Sequence, residues 1–206
     1  RSAMEVTVSC LKRWPREKGV RHRVVGYLHQ MVQILNETIV PYLPDAVDSL
    51  RSKGTNSKEL GETLVLINQL SNTFKAALLP MIAPLFLPLR LQVHENIRVG
   101  LSQSASSDEF TRESHELERN WIQTLNTFAL TSLLSPMLAA NAEARDLCLI
   151  ELVENAKKHS SISIRKLCLQ ALKNITTDWL VGNENTGGNP QIGDEFSNFA
   201  AQKIGV

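Results

Sequence analysis

The run KRWPREKGVRHR carries six Lys or Arg (Lys12, Arg13, Arg16, Lys18, Arg21 and Arg23), with His22 besides, against one acid, Glu17. Six cations in twelve residues set up a local field that draws in phosphates, and the Trp14 ring can lie against a base or a ribose. A charge-rich turn on a helical surface can also serve solubility alone; the residues leave both readings open. A second, weaker group is formed by Lys157, Lys158, His159, Arg165 and Lys166. Its plainer use is to complement the carbonyl end of a helix, where cations are favoured.

Other chemistry has little footing. The histidines His22, His29, His94, His115 and His159 are scattered, with no HxxxH spacing for a metal. In DEFTRESHELER the acids alternate with Arg112 and Arg119 at helical spacings, which suits ion pairs within one helix better than acid–base work. Phosphate-cradling GxGxxG and GxxxxGK[ST] loops and the GxSxG nucleophile pattern are missing from the sequence. No cofactor, metal or catalytic residue is expected, and the chain reads as non-enzymatic. Cys10, Cys148 and Cys168 are odd in number and lack CxxC spacing, so buried reduced thiols in a cytosolic or nuclear protein are expected.

The elements that position the basic groups are helices. Leu dominates the 43% hydrophobic content while aromatics make up 5%, a bias toward helix over strand. Eight amphipathic segments are expected. The first runs from Ser2 to Trp14 with Met4, Val8 and Leu11 on one face, and Pro15 stops it. Glu17 to Glu37 follows, with Val24, Leu28, Met31 and Leu35 as its stripe. PDAVDSLRSKG is a short third helix, and Asn56 or Ser57 caps a fourth through LVLINQL. The fifth, Asn72 to Leu91, contains Pro80, Pro84 and Pro88, which either kink it or break it in two. RVGLSQSASSDE has the composition of an exposed linker. The sixth spans Asp108 to Leu134 and the seventh Asn141 to His159; the eighth uses Ile164, Leu167, Cys168, Ala171, Leu172, Ile175 and Trp179.

Taken in pairs, these segments repeat roughly every 40 to 50 residues, near the period of two-helix HEAT repeats. The expected fold is therefore all-α, a HEAT-like α-solenoid of antiparallel helix pairs with about four repeats. Residues 1–181 form the repeats, 182–193 (GNENTGGNPQIG) a linker, and 194–206 the truncated start of a further helix. Leu28, Met31, Leu64, Ile67, Trp121, Leu125, Leu167 and Leu172 should be buried between layers; residues 100–107 and 182–193 should be exposed and irregular. In a regular solenoid, turns of one kind line one edge, which would bring the two basic groups to a common rim. No uninterrupted apolar stretch reaches the length of a membrane span, so no membrane insertion is expected.

The stretch RHRVVGYLHQMVQILNETIVPYLPDAVDSL, then LVLINQL and NTF, ELERNWIQTLNTF, and SIRKLCLQALKNITTDW resembles the tRNA exportin family of the importin-β (karyopherin) superfamily. The matching blocks occur in order over about two-thirds of the chain. LQVHENIRVGLSQSASS and GNENTGGNPQ depart from the pattern. The resemblance implies a piece of a longer chain, from beyond that family's N-terminal half. It also implies a HEAT solenoid that wraps mature tRNA together with the GTP-bound small GTPase Ran, engages nuclear pore proteins, and shuttles between nucleus and cytoplasm. Contact with the GTPase would fall mainly on repeats outside this chain. A HEAT scaffold or another karyopherin that binds only proteins, and a helical regulatory domain of an enzyme, remain open alternatives.

Overall fold

A computed structural model describes residues 2–51, 55–103, 108–139 and 142–178. The expected linker at 182–193, the expected further helix at 194–206, and Trp179 lie outside the described residues. Every regular element among the described residues is helical. The chain divides within its sixth helix into two units, Arg1–Trp121 and Ile122–Val206.

In the first unit, Ser2 opens α1 (Ala3–Arg13). Its hydroxyl accepts from the Glu5 N–H at 3.2 Å while the Glu5 carboxylate accepts from the Ser2 N–H, a reciprocal cap that satisfies two orphan donors. Met4, Val8 and Leu11 are buried as the spacing predicts. α2 (Lys18–Leu35) buries Val24, Val25, Leu28 and Val32. It ends at Asn36, whose φ of 47° lies where side chains are disfavoured, and passes through a 3-10 turn (Asn36–Tyr42) into α3 (Leu43–Leu50). Asn56, paired with Glu59, caps α4 (Ser57–Phe74). The same junction then recurs: Lys75 at φ 45° and a 3-10 turn (Lys75–Leu78) lead into α5 (Leu79–Gln103).

The pairing follows HEAT order. α1 packs on α2 and α3 on α4, while α1, α3 and α5 adjoin in one layer and α2 adjoins α4 in the other. Side chains linking α2 to α4 keep a nearly constant offset: 38 residues for Arg21–Glu59, and 40 for His22–Glu62 and His29–Gln69. A constant offset means that α2 and α4 run parallel, one repeat apart. α6 (Asp108–Leu130) returns antiparallel along α5, with Gly100 against Ser114 at one end and Phe86 against Trp121, centroids 5.9 Å apart, farther along. Trp121 and Phe86 are almost fully buried, each contributing on the order of 1.5–3 kcal/mol or more by removal of apolar surface from water. In the second unit, α6 ends at a turn in which Ser132 has φ 54°; α7 (Leu134–Ala139) follows, then α8 (Ala142–Lys158) and α9 (Ile162–Thr176), which pack along each other. Asn174 donates to Asn126 at 2.7 Å, and the Ser132 and Ser135 hydroxyls donate to Asp178, tying α9 back to the end of α6.

Several expectations need correction. The expected fifth segment, Asn72 to Leu91, is divided before its prolines: Asn72–Phe74 close α4, the 3-10 turn spans Lys75–Leu78, and α5 then runs unbroken through Pro80, Pro84 and Pro88 and past Leu91. Pro80, Pro84 and Pro88 recur every four residues, so their missing N–H groups fall on one stripe, and Pro80 and Pro84 are exposed where freed carbonyls meet water. The stretch expected as a linker, 98–109, is helical through Gln103 and again from Asp108, and Gly100 is buried rather than exposed; residues 104–107 lie outside the described residues. Of the eight side chains expected between layers, Leu28, Leu64, Ile67, Trp121 and Leu125 are buried, while Met31, Leu167 and Leu172 are half-buried at the margins of their stripes. By length and composition, the stretch Ser57–Ser102 does contain an 18-residue window apolar enough for a membrane span, with mean hydropathy 1.6. Here the stretch is divided by the 3-10 turn, and Ile82, Phe86, Leu89 and Val93 are buried by protein packing.

Candidate nucleic-acid interface

The basic run occupies the end of α1, the turn after it and the start of α2. The turn is closed by two main-chain bonds, from the Trp14 N–H to the Cys10 carbonyl at 3.0 Å and from the Glu17 N–H to the Trp14 carbonyl at 3.2 Å. Pro15 removes a donor at the point where the helix must stop.

Arg21 departs from the expectation that it faces a phosphate. Its side chain is 4% exposed, and its guanidinium donates to the Glu59 carboxylate from Nη2 at 2.7 Å and from Nε at 3.1 Å. Nη1 donates to the Pro15 carbonyl. The other Glu59 oxygen accepts from the Asn56 N–H, so one carboxylate both caps α4 and holds Arg21. Arg21 thus braces the turn from inside. The signal was in the spacing: Arg21 precedes Val24 by three and Leu28 by seven, on the buried stripe of α2.

The remaining cations point to water. Lys12 pairs with Asp45 at 2.6 Å, both side chains more than half exposed, an interaction worth about 0–1 kcal/mol that a phosphate can replace. Arg13 lies over the Trp14 ring at 5.2 Å, and Trp14 is 46% exposed. Arg16, Lys18 and Arg23 are exposed, and among the described residues no carboxylate pairs with them. His22 leans on Glu62 at 3.2 Å. Four predicted cations, Arg13, Arg16, Lys18 and Arg23, are therefore uncommitted to any acid among the described residues, on a turn whose backbone is pinned.

The second group lies in the other unit. Lys157 and Lys158 fill the last turn of α8, as helix electrostatics favours. Lys158 is held by Glu154 at 2.5 Å, and that hydrogen bond, followed by the charge itself, keeps the Glu154 carboxyl below its ordinary pKa. His159 accepts from the Ser161 N–H at 2.9 Å and closes the turn. Lys166 is exposed on α9 and Arg165 half-buried.

One feature was illegible in the sequence. A cleft of about 300 Å³ opens between α4 and the first part of α6, lined by Lys58, Glu62, Arg112, Glu113 and Glu116 around Leu117. The acids read as ion-pairing partners within α6 here face Glu62 of α4, a juxtaposition that only tertiary packing creates. Its acidic balance repels phosphate. Among the described residues no group of His, Cys, Asp and Glu is arranged to hold a metal.

The comparisons with known proteins agree with this architecture. The Exportin-T family model matches residues 1–203. An Exportin-T from Arabidopsis thaliana is 29% identical over 182 residues, covering 87% of this chain and 18% of the relative. The Oryza sativa Exportin-T is 27% identical over 192 residues (89% and 19%), and the human one 26% over 183 (85% and 19%). The chain thus spans about a fifth of the length of the curated relatives it matches. No solved structure matches it. With helix pairs in solenoid order and a match running almost from end to end, the chain belongs to the Exportin-T family.

Proposed function

We propose that this chain is a segment of a tRNA nuclear export receptor, and that it contributes a basic surface which binds the tRNA backbone. The whole receptor would bind mature tRNA together with GTP-bound Ran, pass nuclear pore proteins and shuttle between nucleus and cytoplasm. In that division of labour the GTPase is held mainly by repeats outside this chain. The observation that carries the reading is the braced turn between α1 and α2, which presents Arg13, Arg16, Lys18 and Arg23 to solvent without acidic partners among the described residues. Recognition there is of phosphate and shape, because a folded RNA hides its base edges in a deep groove. Lys12, Lys157, Lys158, Arg165 and Lys166 extend the set as secondary contacts, three of them after release from Asp45, Glu154 or partial burial.

Reversing Arg13, Arg16, Lys18 and Arg23 to Glu tests this. Circular dichroism first establishes that the variant keeps its helices, since Arg stems also pack. Affinity for tRNA should fall, and the slope of log K against log salt should flatten by about 0.7–0.9 for each phosphate that the protein no longer neutralises. Unchanged affinity and slope in a folded variant would assign the turn to solubility and favour a scaffold that binds only proteins.

A further inference from the structure

The geometry points to Trp14 as a stacking platform for an unpaired RNA base, a role that rests on the phosphate-binding reading of the same turn and adds a different chemistry to it. Large aromatic side chains are usually buried, and Trp121 is fully so in this protein, whereas Trp14 is 46% exposed. The backbone that carries the ring is also held in place. Its own N–H and C=O close the turn, and the next carbonyl, that of Pro15, is gripped by the buried Arg21, which is itself locked to Glu59. With the turn already ordered, no backbone freedom is lost when a base stacks on the ring.

The surroundings suit a nucleotide rather than an apolar ligand. The Arg13 guanidinium lies 5.2 Å from the ring centroid, where it both polarises the π-face and stands ready for the phosphate of a stacked nucleotide. Arg16 and Lys18 follow within four residues and carry no acidic partner among the described residues. Cations that track a backbone beside an aromatic ring that takes a base are the two components of single-strand recognition. A base held in a duplex cannot reach such a ring, so the site distinguishes an unpaired nucleotide from a paired one. Phosphate binding alone draws no such distinction.

The test compares the full 206-residue chain with its Trp14→Ala and Trp14→Phe variants. Two probes are used, a short single-stranded oligoadenylate and a blunt-ended RNA duplex, formed from two separate strands, with the same number of phosphates. Oligoadenylate should quench the indole emission of the parent chain, and that quench should be absent from Trp14→Ala. Its affinity for the single strand should drop about five- to a hundred-fold, with Trp14→Phe intermediate. Duplex affinity and the salt slope should stay as in the parent. An equal loss for both probes, or no loss for the single strand, overturns the stacking role. The charge-reversed turn supplies the separate control: if it loses salt dependence while Trp14→Ala changes nothing, phosphate binding stands and stacking falls. If the parent chain binds neither probe, both readings fall together.

Discussion

Arg21 and its neighbours show how far a residue's type can be read without its position. All six Lys and Arg of the Lys12–Arg23 run have the same formal charge, yet their fates differ with their place on α1, the turn or a face of α2. Arg21 lies on the apolar stripe, and burial obliges it to find both Glu59 and a carbonyl. Removing one partner of such a pair strands the other charge, so Arg21→Ala should destabilise the fold by about 3–5 kcal/mol in urea titration. Arg21→Lys should recover only part, because an ammonium cannot span Glu59 and Pro15 as a planar fork does. If Arg21→Ala costs no stability but weakens RNA binding, the side chain is a contact after all. Glu154 makes a quieter case. Its folded pKa is depressed, chiefly by the Lys158 hydrogen bond, so its contribution to stability is present above the ordinary carboxylate range and is lost as pH falls through the folded value. Both partners are exposed, so added salt should erase that acid-side slope, and Glu154→Gln should erase it at low salt. An unchanged slope in Glu154→Gln would place its origin elsewhere.

Helix existence and facing were legible from period alone, because buried positions such as Met4, Val8, Leu11 and Leu60, Leu64, Ile67 repeat at helical spacing. Helix ends were legible where a side chain makes them, as at Asn56, and illegible where tertiary packing does. The fifth helix is the clearest instance: its prolines argue for a break, but their four-residue spacing and the burial of Ile82, Phe86, Leu89 and Val93 on another face carry it through. The junctions at Asn36 and Lys75 had no sequence signal, since neither is glycine although both have positive φ. Lys75→Gly should therefore stabilise the protein, by up to about 1 kcal/mol once the added freedom of the unfolded chain is set against the relieved strain. A lower melting temperature would show that Lys75 makes compensating contacts. Gly100 marks the opposite constraint: a Cβ there would stand 2.1 Å from the Ser114 hydroxyl, which donates to the Phe110 carbonyl at 2.8 Å. Gly100→Ala should drive that hydroxyl off its acceptor and lower stability by roughly 1–3 kcal/mol, with Ser114→Ala partly restoring it in the double variant. Additive destabilisation would mean that the two helices separate by another route.

At the scale of the whole chain, the repeat was legible as a spacing and the family as an ordered set of blocks, while the surface was legible only in part. Net charge of +1 hides a basic turn and an acidic cleft on the same unit, because opposite patches cancel in a sum. A solenoid holds together through neighbouring repeats, so a segment of this length can keep its own surface. The direct measurement is a titration of the 206-residue chain with labelled tRNA at several salt concentrations, with and without GTP-bound Ran. With four uncommitted cations on the turn, binding should be weak, with a log–log slope near −3 to −4 at about 0.9 per phosphate, and the GTPase should leave it unchanged. Binding indifferent to salt, or undetectable even at low salt, would contradict the account.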